Sequence, residues 1–273
     1  MTVKIGIQSG LAAAWQAEFA CGELRRISVE STVVQLDDPE AAILRGEVDL
    51  AVHPLAELPL ARLEGTVIAA VSERKRAADL LVSRLETRDD KRDFGLKNQA
   101  AVFSDTDLQA AQLRDYRPDV AVSVPGGGAA ALLEQVRNGV CDAAVFAAAF
   151  IEPLGLKLAG LEVIELSPRE FVPAPGQGVL AWLAHHDDLP LRRVLQRLHH
   201  PEVSACTNVE RRVLQFLGGE GAVPLGVFVE RDGVGNFHAF AASERSGQML
   251  RARVSQSTNI EMAVRVAERL GIV

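Results

Sequence analysis

The chain has 273 residues, 48% of them hydrophobic and 24% charged, with a net charge of −7 and a pI near 5.5. That length and composition give a globular chain of one large or several small domains, and the acidic balance excludes nucleic acid as an expected partner. No apolar run reaches membrane-spanning length, and Met1 to Ile7 runs straight into a strand, so a cytoplasmic protein without a membrane partner is expected.

Aromatics are scarce and Ala, Val and Leu dominate, which suits parallel strands buried between helices. Cys21, Cys141 and Cys206 lie far apart with no CxxC spacing, so neither a disulfide framework nor a zinc site is indicated. Val3 to Ile7 reads as a strand and Gln8 to Gly10 as a turn. Leu11 to Arg26 has helical apolar spacing at Leu11, Trp15, Phe19 and Leu24. Such a turn opens a helix whose free N–H groups can hold an anion, although every α/β protein has one. A second strand is expected at Ser31–Leu36, then a helix over residues 39–45 that Gly46 stops.

Leu50 to Val52 is a buried strand run, and the proline-broken loop beyond it carries His53 and Glu57. In open α/β sheets ligands sit beyond the carboxyl ends of strands, so this His and this carboxylate are candidates to face a cleft. The plainer reading is a capped strand end and a solvated side chain.

Leu44–His53 has an echo at Val136–Phe146: helix, Gly stop, Asp, then a short buried strand. Each unit has another strand upstream, Ser31–Leu36 or Val120–Val124. Two similar α/β units suggest two domains facing each other across a cleft, the architecture of the periplasmic-binding-protein class.

Val71 to Val82 passes from a strand through Arg74-Lys75-Arg76 into another strand, and reads as the first crossing between domains. Residues 84–98 read as a loop with a short helix, 100–103 as a strand, 105–115 as a helix. Gly126 to Gly128 precede the helix 129–137; they fit neither phosphate-binding signature, and a loop needing unusual backbone angles is the expectation. Phe171 to Trp182 carries a rigid Pro175-Gly176-Gln177-Gly178 turn, which places Gln177 near whatever lies above it. His185-His186 and His199-His200 are adjacent pairs whose side chains should point apart, on the surface, so no metal site is expected. Residues 206–217 read as an amphipathic helix. Strands at 227–230, 236–241 and 250–254, with the helix 260–270, make a small α+β domain.

These stretches together resemble hydroxymethylbilane synthase, also called porphobilinogen deaminase. Gln8-Ser9, Leu11-Ala12 and Trp15-Gln16-Ala17 resemble its R-Q-S-P-L-A and W-Q-A, and Asp49 to Pro59 its D-I/L-A-V-H-S-x-K-D-V/L-P. Gln112-Leu113, Arg117-Pro118-Asp119, Asp142-Ala143 and Leu154-Gly155-Leu156 are similar to its middle domain. Pro175 to Gly178 resembles P-x-x-G-Q-G, Glu210-Arg211 its A-E-R, and Pro224-Leu225-Gly226 the end of its third-domain loop.

The resemblance implies an α/β fold: two periplasmic-binding-protein-like (type II) α/β domains around a cleft, plus a small C-terminal α+β domain. The expected limits are 1–73 with 174–197, then 76–168, then 198–273. It also implies a Cys-linked dipyrromethane primer, a catalytic Asp, and arginines and a lysine that pair with acetate and propionate groups of a growing pyrrole chain. Bidentate, always-charged partners suit such a polycarboxylate.

The sequence departs from that set. The primer Cys position is Gly221, so dipyrromethane attachment is not expected, and nothing points to Cys206 as a substitute. The catalytic Asp position is Glu57 and the neighbouring Lys is Ala56. Ile7, Leu108, Gln109, Pro125, Ala131 and Pro153 stand at arginine positions. Each charged hydrogen bond is worth about 1.5–3 kcal/mol, so their joint loss removes affinity for a polyacidic chain. The expectation is a family member that is silent or binds another ligand. A periplasmic-type small-molecule binder, or an active deaminase rebuilt on Glu57, are the alternatives. The expected site residues are Glu57 as catalytic carboxylate and Ser9, His53 and Gln177 around a small molecule between the first two domains of a monomer. An apolar cleft built from Ile7, Leu55, Leu108 and Ala131 favours a ligand less acidic than the family's.

Overall fold

The computed structural model describes residues 2–61, 63–219 and 223–273. In chain order the elements are β1 (Thr2–Ile7), α1 (Leu11–Arg26), β2 (Glu30–Gln35), α2 (Pro39–Leu44), β3 (Leu50–Pro54) and β4 (Thr66–Val71). Then come β5 (Asp79–Ser83), β6 (Ala101–Ser104), α3 (Asp107–Tyr116), β7 (Ala121–Ser123), α4 (Gly128–Arg137), β8 (Ala143–Ala147) and β9 (Glu162–Glu165). The chain finishes with β10 (Leu180–His185), α5 (Leu189–Leu195), α6 (Pro201–Phe216), β11 (Leu225–Arg231), β12 (Phe237–Arg245), β13 (Gln248–Gln256) and α7 (Met262–Arg269).

Local chemistry sets the helix starts. Asp38 accepts from Ala41 N at 2.9 Å with Pro39 in the first turn, and Thr106 and Gln109 form a reciprocal capping box on α3. Gly126 and Gly127 ahead of α4, and Gly128 at its first position, all have positive φ, the unusual backbone angles expected there.

Two five-stranded sheets share one strand order, β2-β1-β3-β10-β4 and β7-β6-β8-β5-β9. In each, the first three strands are parallel and the fourth runs antiparallel to both its neighbours. That fourth strand is the one that enters the domain from the other, so each sheet is completed by a crossing. This is the type II periplasmic-binding-protein arrangement, and a three-stranded antiparallel sheet, β11-β12-β13, forms the third unit.

The internal echo is structural. Asp49 Oδ2 accepts from Lys4 N at 2.7 Å, and Asp142 Oδ2 accepts from Ala101 N at 2.9 Å. Each Asp thus ties the start of a third strand to the neighbouring first one. Gly46 and Gly139 end α2 and α4 with φ of 69° and 72°.

Each sheet is buried on both faces. Val3, Ile5, Leu50, Val52 and Trp182 pack under α1 and α5, while Ala51, Ala181 and Leu183 pack with Ala42 and Ile43 of α2. In the second domain Leu80, Val82 and Phe146 meet α4, and Leu81, Val102 and Val145 meet Leu113 of α3. Such two-sided burial gives continuous apolar strand runs. The third unit closes on α6 and α7 through Val209, Val213, Val227, Met262 and Val266.

Three local expectations need correction. Helix α6 begins at Pro201 rather than near 206, because Pro fits the first turn of a helix. Helix α5 and strand β9 are additional, while the loop with a short helix expected over residues 84–98 is present, its helical parts being 3₁₀ turns. The histidine pairs do not simply point apart into solvent. The His185 and His186 rings lie 5.0 Å apart, and His199, half-buried, accepts from Val71 N at the end of β4. Among the described residues no helix is long and apolar enough to cross a membrane.

Candidate functional site

Two segments cross between the α/β domains, residues 72–78 from β4 to β5 and residues 166–179 from β9 to β10. Lys75 N donates to Gly178 O at 2.9 Å and Leu180 N to Ser72 Oγ at 3.0 Å, so the crossings are bonded to each other. A Cβ on Gly178, whose φ is 79°, would lie 2.4 Å from Arg76 O, so only glycine lets the two backbones come this close. Gln177 fills the gap between them. Its buried amide donates to Ala77 O at 2.8 Å, Ala78 O at 3.3 Å and Asp79 Oδ1 at 3.1 Å. Gln109 of α3 donates to the same Asp79 oxygen at 2.9 Å.

Beside these crossings lies a cavity of about 360 Å³ between the domains, near the low end of the range for small-molecule sites. One wall is the stacked pair Trp15 and Phe19 of α1, with ring centroids 5.7 Å apart, and Phe150 also lines it. The rest is mainly small and apolar, with Ala12, Ala56, Leu108, Ala147 and Pro153 among the lining residues. Four carboxylates line the space, Glu57, Asp79, Asp105 and Glu152, against two cations, Lys75 and Arg76. Arg76 is paired with Glu165.

The electrostatics follow from that imbalance. Burial pushes Asp79 up to about 6, against the pull of the two amides, and the charge of Asp105 adds to the rise. Loss of hydration also raises Asp105. Glu57 is exposed by area, yet the cleft walls strip its carboxylate of water and raise its pKa, with Asp105 as the second cause. Raised carboxylates in a cleft are a signature of functional sites. The loop that carries Glu57 is held from outside the domain. Arg211 of α6 donates to Leu55 O and Leu58 O, both at 2.9 Å, and to Pro59 O at 3.0 Å.

Of the expected site residues, the structure brings Glu57 and Gln177 into the cavity lining and leaves Ser9 and His53 out of it. Ser9 is exposed in the turn before α1. His53 is half-buried opposite Ala181, its Nε2 buried with no hydrogen-bond partner, and burial lowers its pKa. Leu108 lines the space as expected, whereas Ile7, Leu55 and Ala131 do not. Asp79, Asp105 and Trp15 also line the cavity and were not among the expected site residues. The strand-end rule that found Glu57 also applies to Asp105, which directly follows β6. Asp79 had a signal too: a carboxylate opening an otherwise apolar strand.

His185, His186 and Asp187 are the one described group with His, Cys or acidic ligand atoms within 4.8 Å of one another. His186 is already bonded to Asp187 and Gly65 O, and the group is far from the cleft residues in the sheet, at the other end of β10. Gly221 lies outside the described residues. Cys206 is buried, and burial together with Glu210 pushes its thiol up to about 12, which leaves it protonated.

Residues 23–193 match the family model described as porphobilinogen deaminase, dipyromethane cofactor binding domain. The porphobilinogen deaminase of Chloroherpeton thalassium is 32% identical over 98% of this chain and 91% of its own length. That of Chromobacterium violaceum is 36% identical over 69% of this chain, which spans 59% of that relative. Desulforudis audaxviator provides another, 34% identical over 84% of this chain and 74% of its own length. Among solved structures, a periplasmic substrate-binding protein from Coxiella burnetii gives a TM-score of 0.46 at 16% identity, covering 74% of this chain and 94% of its own. The VFT2 domain of Bordetella pertussis BvgS gives 0.43 at 17%, covering 72% and 86%.

One expectation is corrected by the family match. The expectation of no cofactor, with dipyrromethane attachment ruled out at Gly221, is overturned by the match of residues 23–193 to a dipyromethane cofactor binding domain, which points to that cofactor. The cleft lining is a separate observation. A polycarboxylate held there would meet Glu57, Asp79, Asp105 and Glu152 with only Lys75 and Arg76 to pair with, so the described residues do not fit the group by charge. The matching domain model and the full-length similarity to the Chloroherpeton enzyme establish that this chain belongs to the porphobilinogen deaminase family.

Proposed function

We propose that this chain is a ligand-binding member of the porphobilinogen deaminase family that does not assemble the pyrrole chain, its cleft taking a small molecule less acidic than the family's substrate. The observation that carries this reading is the charge of the cleft. Glu57, Asp79 and Asp105 all have raised pKa values, and the carboxylates of Glu57 and Asp105 have no hydrogen-bond or ion-pair partner among the described residues. Acetate and propionate groups brought there would add like charge in a partly dry space, where each uncompensated contact is unfavourable. Leu108, Gln109 and Pro153, which stand at the family's arginine positions, line the same space and offer no cation.

The retained parts support a binding role. The two domains, the bonded crossings and the Gln177 turn all serve to hold a cleft, and type II binding folds trap ligands by hinge motion at such a place. Purified protein incubated with porphobilinogen is expected to leave it unconsumed beyond the uncatalysed loss. Steady consumption that scales with protein concentration overturns the reading.

A further inference from the structure

Resting on that reading, we infer that the cleft binds a hydrophobic monoamine, with an apolar or aromatic body against Trp15, Phe19 and Phe150 and an ammonium seated on the second oxygen of Asp79, within the field of Asp105 and Glu57. The first observation is Asp79 itself. It is 1% exposed, it lines the cavity, and both amide donors converge on Oδ1. Oδ2 accepts no hydrogen bond from any described residue. A carboxylate stripped of water and half-bonded is unfavourable unless a donor completes it, and an ammonium is the donor that also supplies charge.

The second observation is the missing counter-charge. Lys75, the only lining cation without an ion pair among the described residues, is exposed. One positive charge from a ligand relieves the repulsion that Asp105 exerts on both Asp79 and Glu57.

Chemistry narrows the cation. The carboxylates of Glu57, Asp79 and Asp105 do not bring three ligand atoms within 4.8 Å of one another, since the only described group that does is His185, His186 and Asp187. A compact metal ion therefore lacks a coordination shell here. A cation carried on an organic body does not need one. The aromatic wall suits such a body twice, through apolar burial and through attraction of its ring faces for positive charge. A volume of about 360 Å³ suits a ligand of one or two rings.

Phenethylamine and 3-phenylpropionate share a ring and differ in charge, so they make the test. Each is titrated into the whole protein at pH 7.5, with melting temperature and tryptophan fluorescence as readouts; Trp15 lies in the cavity wall and Trp182 in the core. Phenethylamine is expected to raise the melting temperature saturably and to change the fluorescence, whereas 3-phenylpropionate does neither. Asp79→Asn keeps an acceptor for both amides and removes the charge, and is expected to weaken the amine roughly ten- to a hundredfold. Asp105→Asn weakens it less and serves if the first variant does not fold. Stronger binding of the propionate, or amine binding unchanged in both variants, overturns the inference. The two ideas fail separately. Consumption of porphobilinogen alongside intact amine binding overturns the proposed function alone, and no amine binding by a protein that leaves porphobilinogen untouched overturns the ligand class alone.

Discussion

At the scale of single residues, Asp79 sets charge against folding. Its pKa is about 6 in the fold against an ordinary 3.8. The protonated form is therefore the one the fold favours, and the stability it contributes is fully present below about pH 4 and lost as pH rises through 6. A shift of that size corresponds to about 3 kcal/mol. Asp79→Asn has no charge to lose, so the stability gap between variant and wild type is expected to be small at pH 4 and to grow to about 3 kcal/mol in favour of the variant by pH 8. Urea unfolding at a series of pH values measures it, and a gap that does not change with pH refutes it. The same substitution weakens the amine, so one residue is expected to trade stability for binding.

At the scale of elements, the Pro175–Gly178 turn shows how local sequence fixes a long-range contact. Gly178→Ala places a methyl group 2.4 Å from Arg76 O at a φ that side chains rarely adopt, so the crossings must separate. The expected loss is about 2–4 kcal/mol in urea unfolding, with the Lys75 to Gly178 hydrogen bond going too. A variant within about 0.5 kcal/mol of wild type would show that the crossings have slack that the structure does not.

Much at this scale was legible. The Leu44–His53 echo of Val136–Phe146 carried real information, because Asp49 and Asp142 make the same backbone contact in the two domains. Glu57 was found by its place at a strand end. Asp79 was not, since whether a carboxylate opening a strand meets water or a neighbouring domain depends on contacts about a hundred residues away, here with Gln177. His53 failed in the opposite way: it stands beside a cleft loop in sequence, yet strand alternation and pairing with β10 turn it away from the cavity lining. Helix α5 is short and follows two histidines and two aspartates, a polar run that hides its apolar stripe.

At the scale of the whole molecule, three units meet on one buried ion pair. Arg74 of the first crossing donates to Glu210 Oε1 and Oε2 at 2.9 and 2.8 Å. Glu210, on α6 of the third unit, also accepts from Gly176 N of the second crossing and from Val229 N of β11, both at 2.8 Å. Glu210 is fully buried, so all three donors, through four hydrogen bonds, depend on a doubly accepting carboxylate with no water to replace it. Glu210→Gln keeps the size and one acceptor but turns an N–H toward groups that themselves donate, which leaves donors unpaired and strands the Arg74 charge. Removing one partner of such a pair costs about 3–5 kcal/mol. The loss is expected to be cooperative, because the contact spans both crossings and the third sheet, so the variant should melt earlier and in one transition. Arg211 sits next on the same helix and holds the Glu57 loop. Loosening α6 should therefore also weaken phenethylamine binding, although Glu210 is not in the cavity lining. Calorimetric melting and an amine titration of Glu210→Gln test both parts together. Unchanged stability would remove the ion pair as the junction of the three units, and unchanged amine affinity in a destabilised variant would show that the Glu57 loop holds its place without the third unit.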